Sequence, residues 1–370
     1  MTDTQAAAAR RFRPGRGKAL QIAISVVVVG AIFFFALPQI ADLSSVWDEI
    51  AAMTLIELTS LFVVAAWNIV SYWFVAVAAL PGSNLWQAMK VNGASTAIAN
   101  TVPGGGALGI GVTYGMYLSY GFSQASVARA VLVTGIWNNF VKLGMPIVAL
   151  VLLALHGGAT RATLVASIVG LAALATAIVL FGLILYRESF AQRIGTWIGK
   201  VRDATLRRFH REPGRDLAEA TTRFRRDTID LLSKRWAPLT LATLVSHISL
   251  FIVLLMSLRH VGVSNAEVPW QEVLATFAFV RLITALPITP GGLGVVELGY
   301  SAALVTAGGG RAEVVAGILV FRALTYVLPI PWGIAMYLRW RQGAERRRLR
   351  VAAAKEPPEA AAAPADRGLS

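Results

Sequence analysis

The sequence predicts an all-α polytopic membrane protein, an inverted-topology repeat with two Pro-Gly-Gly broken, re-entrant hairpins. Three observations predict it. Of 370 residues, 56% are hydrophobic and the mean hydropathy is +0.62, more apolar than a water-soluble domain of this size. Six apolar runs come close to or exceed the roughly 20 residues that cross a bilayer as a helix. Two further apolar regions, Trp86 to Tyr120 and Trp270 to Ala307, are each interrupted by Pro-Gly-Gly, where proline removes a backbone donor and glycine disfavours helix.

The first run, Ala19 to Leu37, follows the basic stretch RRFRPGRGK. Its length and the hydrophobic segments behind it predict an uncleaved membrane helix rather than a signal peptide. The loop from Pro38 to Glu57 carries Asp42, Asp48, Glu49 and Glu57 and no basic residue. Runs at Leu61 to Leu80, Val127 to Leu155 and Leu164 to Tyr186 follow, and then Leu239 to Leu258 and Val314 to Leu338. Five Lys or Arg lie between Arg10 and Lys18, thirteen between Arg187 and Arg235, and six between Arg339 and Arg350, together 24 of the chain's 34. The positive-inside rule puts these three segments in the cytoplasm and the acidic loop outside. The net charge of +14 therefore speaks of topology and not of nucleic acid. The organisation is a basic cytoplasmic amino terminus over 1–18, a transmembrane region over 19–340 containing a basic cytoplasmic loop at 187–236, and a basic, then disordered, cytoplasmic tail over 341–370.

Parity adds a constraint. With the amino terminus and the 187–236 loop both inside, the region Trp86 to Tyr120 must have a net crossing of zero, and the same count gives zero for Trp270 to Ala307. Each is either a hairpin that dips in and returns or a pair of short full spans. TVPGGGALGIG at Thr101 matches ITPGGLGVVELG at Ile288 through Pro103 and Pro290, and the same offset of 187 residues carries ASVARAVLV at Ala125 onto AEVVAGILV at Ala312. Each half thus reads as helix, broken hairpin, helix, with opposite orientation. Transporters built this way bind their cargo between the halves. Pro103, Gly104, Gly105, Pro290, Gly291, Gly292 and Gly294 are the expected structural turns, in backbone that a membrane tolerates only where protein or a wet cavity surrounds it.

Ionisable groups in hydrocarbon are costly and face a bundle interior or water. Arg281 lies nine residues before Pro290 and Glu297 seven after it, so the arms of a hairpin hold them at similar depth, about 10 Å from its turn. Glu297 is expected to pair with Arg281, lining a binding site or stapling the hairpin, or with a cationic headgroup substituent, while Arg281 and Arg322 hold phosphate. Lys142 and Arg322 fall near the middle of their spans, and Asn138 and Asn139 precede Lys142 in WNNFVKLGMP. These four join the candidate substrate-binding set, with helix-to-helix hydrogen bonding as the other reading of the two asparagines. Arg129 either lines the cavity or snorkels to the cytoplasmic surface. A pocket with several cations and one deep acid favours a negatively charged ligand, and guanidinium forks match phosphate.

In the basic loop, Phe190, Ile194, Trp197, Ile198 and Val201 recur at helical spacing, as in a helix lying on anionic lipid or in a solvated connector. The chain has no cysteine and four scattered histidines, so no metal site or cofactor is expected. The excess of Arg over Lys and the many alanines suggest a GC-rich bacterial genome.

The string RLITALPITPGGLGVVE, together with NTVPGGGALGIG and the pattern of spans, resembles the lysylphosphatidylglycerol synthase transmembrane-domain family, the flippase-like part of the multiple peptide resistance factor. The resemblance covers roughly Ala19 to Trp340 and is most specific at Arg281, Pro290, Gly291, Gly292 and Glu297. It implies a helical fold that moves phospholipid headgroups between leaflets. The two-part relatives carry a soluble aminoacyltransferase domain after the membrane part, whereas about thirty residues follow Trp340 here, so lysyl-lipid synthesis by this chain alone is not expected. The expectation is a plasma-membrane flippase-like transporter of an anionic or phosphate-bearing lipid, not an enzyme, with membrane lipids as partners and with a homo-oligomer or a separate lipid-modifying enzyme as further options. No nucleotide-binding motif is present, so a gradient or downhill lipid flow supplies the energy. The alternatives are a glycosyltransferase using a lipid-phosphate sugar, with Asp42, Asp48 and Glu49 as its acids, and a small-solute transporter on the same plan.

Overall fold

In the computed structural model the described residues are 42–102, 105–155, 161–187, 217–283 and 292–353, with 189, 193 and 196. They are helical, with no strand among them. The first expected span, Pro103, Gly104, Pro290, Gly291, most of the 187–216 loop with Phe190, Ile194, Trp197, Ile198 and Val201, and the tail beyond 353 lie outside the described residues.

The helices are α1 (Leu43–Ala51), α2 (Leu55–Ala79), α3 (Leu85–Thr101), α4 (Gly105–Ser119), α5 (Gln124–Leu155), α6 (Arg161–Tyr186), α7 (Leu217–His260), α8 (Trp270–Ile283), α9 (Val295–Thr306), α10 (Arg311–Arg322) and α11 (Pro329–Ala353), with a π-helical turn, Ala323–Val327, joining the last two. Five segments are long and apolar enough to cross a membrane: Leu55–Ala79, Gln124–Leu155, Ile168–Tyr186, Thr222–His260 and Arg311–Gly343. They coincide with five of the six expected runs. The basic segment after Trp340 continues α11 as helix to Ala353.

The two broken regions are pairs of short helices. α3 and α4 have 17 and 15 residues, α8 and α9 have 14 and 12. At 1.5 Å per residue these are about 18 to 26 Å long, short of the ~30 Å hydrocarbon core. The start of α3 is satisfied locally, as the orphan N–H groups of a helix end require. Asn84 and Gln87 form a reciprocal capping box at α3, as Thr54 and Glu57 do at α2.

Packing follows a two-fold exchange between the halves. α2 packs along α7, its counterpart; α3 packs on α11 while α8, the counterpart of α3, packs on α5, the counterpart of α10 and α11. Asn68, in the middle of α2, donates to the Ser246 carbonyl (2.9 Å) and the Ser249 hydroxyl (2.8 Å) of α7, positions about 180 residues further along. Turn glycines repeat too. Gly82 and Gly262 (φ 87° and 98°) end α2 and α7, and Gly121 and Gly308 (φ 94° and 114°) end α4 and α9, conformations open to glycine at little cost. The offset is 180 for the first pair and 187 for the second; Gly262 stands eight residues before α8 and Gly82 three before α3, so the longer loop supplies five of the seven.

Two buried clusters each lie mainly in one half and take in residues of the other. Val75, Leu80, Met116, Tyr117, Val127 and Leu239 centre one, and Leu254, Leu258, Phe277, Tyr300, Leu304 and Ile318 the other. Large apolar side chains also face outward, among them Phe62, Val63 and Trp67 on α2 and Ile168, Val169 and Leu171 on α6. In water such a surface would be a liability; it suits a lipid solvent.

Candidate functional site

Between the halves lies a cavity of about 540 Å³. Three cationic side chains reach it from three helices: Lys142 from α5, Arg281 from the last turn of α8, and Arg322 from the end of α10. Asn68 and Tyr72 of α2, and Asn92, Thr96 and Asn100 of α3, add neutral polar groups to its wall. Val296 and Tyr300 of α9 and Trp332 of α11 also line it.

Glu297 is the anchor behind this wall. Its side chain is 1% exposed, and both oxygens are engaged. Oε1 accepts from Arg322 Nε at 2.6 Å and Oε2 accepts the Gly294 backbone N–H at 2.7 Å. Gly294 has φ 80° and ψ −47°, a conformation for which a side chain is strained, and its turn starts α9. One carboxylate thus fixes the beginning of α9 and aims a guanidinium that is 12% exposed. The cation on Glu297 Oε1 is Arg322, because α10 delivers its guanidinium to the start of α9, while Arg281 lines the cavity. Glu297 is not among the lining residues.

Arg322 is held from a second side as well. Its Cζ lies 4.3 Å from the centroid of the Tyr326 ring, a cation–π contact one turn along. The Tyr326 hydroxyl donates to the Asn100 carbonyl, and Asn100 Nδ2 donates to the Tyr326 carbonyl at 3.2 Å. This reciprocal pair ties the π-helical turn to α3 across the two halves. The π turn closes with the Leu328 N–H on the Ala323 carbonyl at 2.8 Å, directly before Pro329, which has no N–H to give. Single π turns are frequent at functional sites.

Asn138 and Asn139 are not brought to the cavity wall. Asn138 Nδ2 donates to the Thr134 carbonyl of its own helix at 2.8 Å, and Asn139 is exposed. They sit one turn from Lys142, beyond the cavity's edge. Arg129 takes neither expected course alone: partly buried, it pairs with Asp227 of α7 at 3.5 Å. Of the expected turn residues within the described set, Gly105 starts α4 and would meet the Ile98 and Ala99 carbonyls if it carried a Cβ, and Gly292 and Gly294 have positive φ. Asp42, one of the alternative catalytic acids, caps α1, accepting from the Ser44 hydroxyl at 2.6 Å and from its amide; these bonds hold its carboxyl below the usual range.

Sequence reasoning missed the neutral half of the site, Asn68, Tyr72, Asn92, Asn100 and Tyr326. The signal existed in WNIVSYW on α2, where an asparagine, a serine and a tyrosine interrupt an apolar run at helical spacing. Charge drew attention first because its cost in hydrocarbon is larger.

Residues 20–333 match the family described as the lysylphosphatidylglycerol synthase TM region. Among curated proteins no match is found.

Proposed function

The chain belongs to the lysylphosphatidylglycerol synthase TM-region family, and from that premise and the cavity we propose that it moves a phosphate-bearing, anionic lipid between the leaflets of the plasma membrane, with both termini in the cytoplasm. The observation that carries this reading is the convergence of Lys142, Arg281 and Arg322 on one cavity between the halves. A phosphate offers the oxygens that guanidinium groups bind as a fork, and three cations gathered in a polar pocket within hydrocarbon favour an anion over a neutral solute. Glu297 holds Arg322 in place, and Arg281 and Lys142 line the same space from α8 and α5. The short helix pairs α3–α4 and α8–α9 act as re-entrant hairpins whose turns supply the rearrangement, and the Asn100–Tyr326 bonds across the halves open and re-form as the cavity changes sides.

The test is reconstitution into phosphatidylglycerol-containing liposomes with a fluorescent headgroup-labelled phosphatidylglycerol. The parent should raise the rate of leaflet exchange above that of protein-free vesicles, and Arg281→Ala should lower it at least tenfold while helicity and monodispersity are kept. Equal exchange by parent and variant would remove the site; equal exchange by parent and empty vesicles would remove the function.

A further inference from the structure

A second, smaller pocket of about 380 Å³ lies between α2 and α11. Phe62, Ala66, Val70 and Trp73 line it from α2, Leu328 and Pro331 from the other side. Ile69 and Trp332 line both this pocket and the cation-bearing cavity, so the two spaces meet at that pair. The larger apolar groove, enclosed by α5, α6, α7 and α8, shares no lining residue with the cavity.

From Phe62 to Trp73 the pocket runs along eleven residues of α2, about 16 Å at helical rise. That is roughly the depth of one leaflet's hydrocarbon. Its rim is apolar and outward facing: Phe62 is 56% exposed and Trp332 41%. Two indoles line it, those of Trp73 and Trp332. The Trp73 indole Nε1 is buried and makes no hydrogen bond among the described residues, although a buried indole N–H ordinarily finds an acceptor. Tyr72, the preceding residue, lines the polar cavity. The boundary between polar and apolar space therefore passes between neighbouring residues of α2, and an acceptor at that boundary would complete the Trp73 donor.

We propose that the gap between α2 and α11 is a lateral entrance occupied by one acyl chain of a phospholipid whose phosphate sits in the cavity, with Trp73 Nε1 donating to an ester carbonyl at the junction. The inference rests on the phosphate-lipid reading above and adds where the lipid enters and what holds its glycerol. Ile69 and Trp332 are the threshold. The ligand is a diacyl lipid and not a free phosphate ester, because the phosphate space and the apolar space adjoin at Ile69 and Trp332.

Two probes separate the parts. Protein in phosphatidylglycerol vesicles containing a trace of phosphatidylglycerol with a diazirine in its acyl chain is irradiated and its peptides are mapped. Label should concentrate on the segments 62–73 and 328–332; label spread evenly over the outward-facing helices, or concentrated on 137–148 and 174–182, would overturn the proposal. The double variant Ala66→Phe, Val70→Phe fills the pocket and should slow leaflet exchange at least tenfold while glycerophosphoglycerol, the deacylated headgroup, binds within twofold of the parent. Trp73→Phe keeps an aromatic ring, loses the donor and should slow exchange severalfold. Parent-like exchange in the filled variant would overturn the entrance alone. Absence of glycerophosphoglycerol binding to the parent would overturn the phosphate reading, and the entrance with it.

Discussion

Replacing Glu297 by glutamine isolates the charge that holds the site together. The side chain is 1% exposed and bonded to Arg322 at 2.6 Å, so the substitution leaves a guanidinium with little solvent and no counter-charge on its Nε. Removing one member of a buried pair typically costs about 3–5 kcal/mol. Glutamine keeps the shape and an acceptor for the Gly294 N–H, and the Tyr326 ring still faces Arg322, so the low end applies, about 3 kcal/mol, or roughly 150-fold in the folding equilibrium. Arg322→Gln alone strands the carboxylate and should cost as much. The double variant removes both charges, and its cost should fall short of the sum of the singles by about 2 kcal/mol or more. The assay is unfolding in mixed micelles titrated with denaturing detergent and followed by helicity, for the parent and the three variants. Additivity of the two singles within about 0.5 kcal/mol, the behaviour of independent sites, would refute the argument that this pair fastens α9 to α10.

Other consequences are sharp enough to measure. Gly294→Ala forces a side chain into φ 80° and should cost about 1–3 kcal/mol in the same titration; no loss would mean the turn is relaxed. Gly333 of α11 lies against Gly93 and Ala97 of α3, where an added Cβ would collide with the Gly93 carbonyl; Gly333→Val should separate these helices, seen as loss of a disulfide between cysteines engineered across them, and retention of the cross-link would contradict the close approach. In the loop before α8, the Ser264 backbone N–H donates to Glu267 Oε2 at 2.8 Å, which with the Ser264 hydroxyl holds the Glu267 carboxyl below its usual range. A depressed folded-state pKa gives stability that is complete above the unfolded value, about 4.3, and lost as pH falls through the folded one. The melting-temperature gap between the parent and Glu267→Gln should therefore be constant from pH 7 to about 5, shrink below that and close in stronger acid; a gap that persists there would contradict the assignment.

The sequence carried the fold further than the site. Hydropathy located the spans because a bilayer makes apolar length a direct physical requirement, and the Pro-Gly-Gly strings marked the short helix pairs because neither residue type sustains a helix. The 187-residue offset was legible, and the paired glycines at 121 and 308 bear it out; the shift to 180 at Gly82 and Gly262 was not, since most of it is added length in a loop without a motif. At the site, Lys142, Arg281 and Arg322 stood out as charges in hydrocarbon. Which of them Glu297 would choose did not, because hairpin spacing fixes depth and not the direction in which α10 delivers Arg322. Asn138 and Asn139 were credited for adjacency to Lys142, yet one helical turn put them past the cavity's edge. Asn100 and Tyr326 stand 226 residues apart, and no local pattern pairs them.

The most direct test of the cation-lined cavity as a lipid-phosphate site is a cryo-electron-microscopy map of the protein in phosphatidylglycerol nanodiscs. A phosphate density within hydrogen-bonding reach of Arg281 and of Lys142 or Arg322 is the predicted result. A cavity that holds no lipid, with headgroups ordered only at the two membrane surfaces, would contradict it.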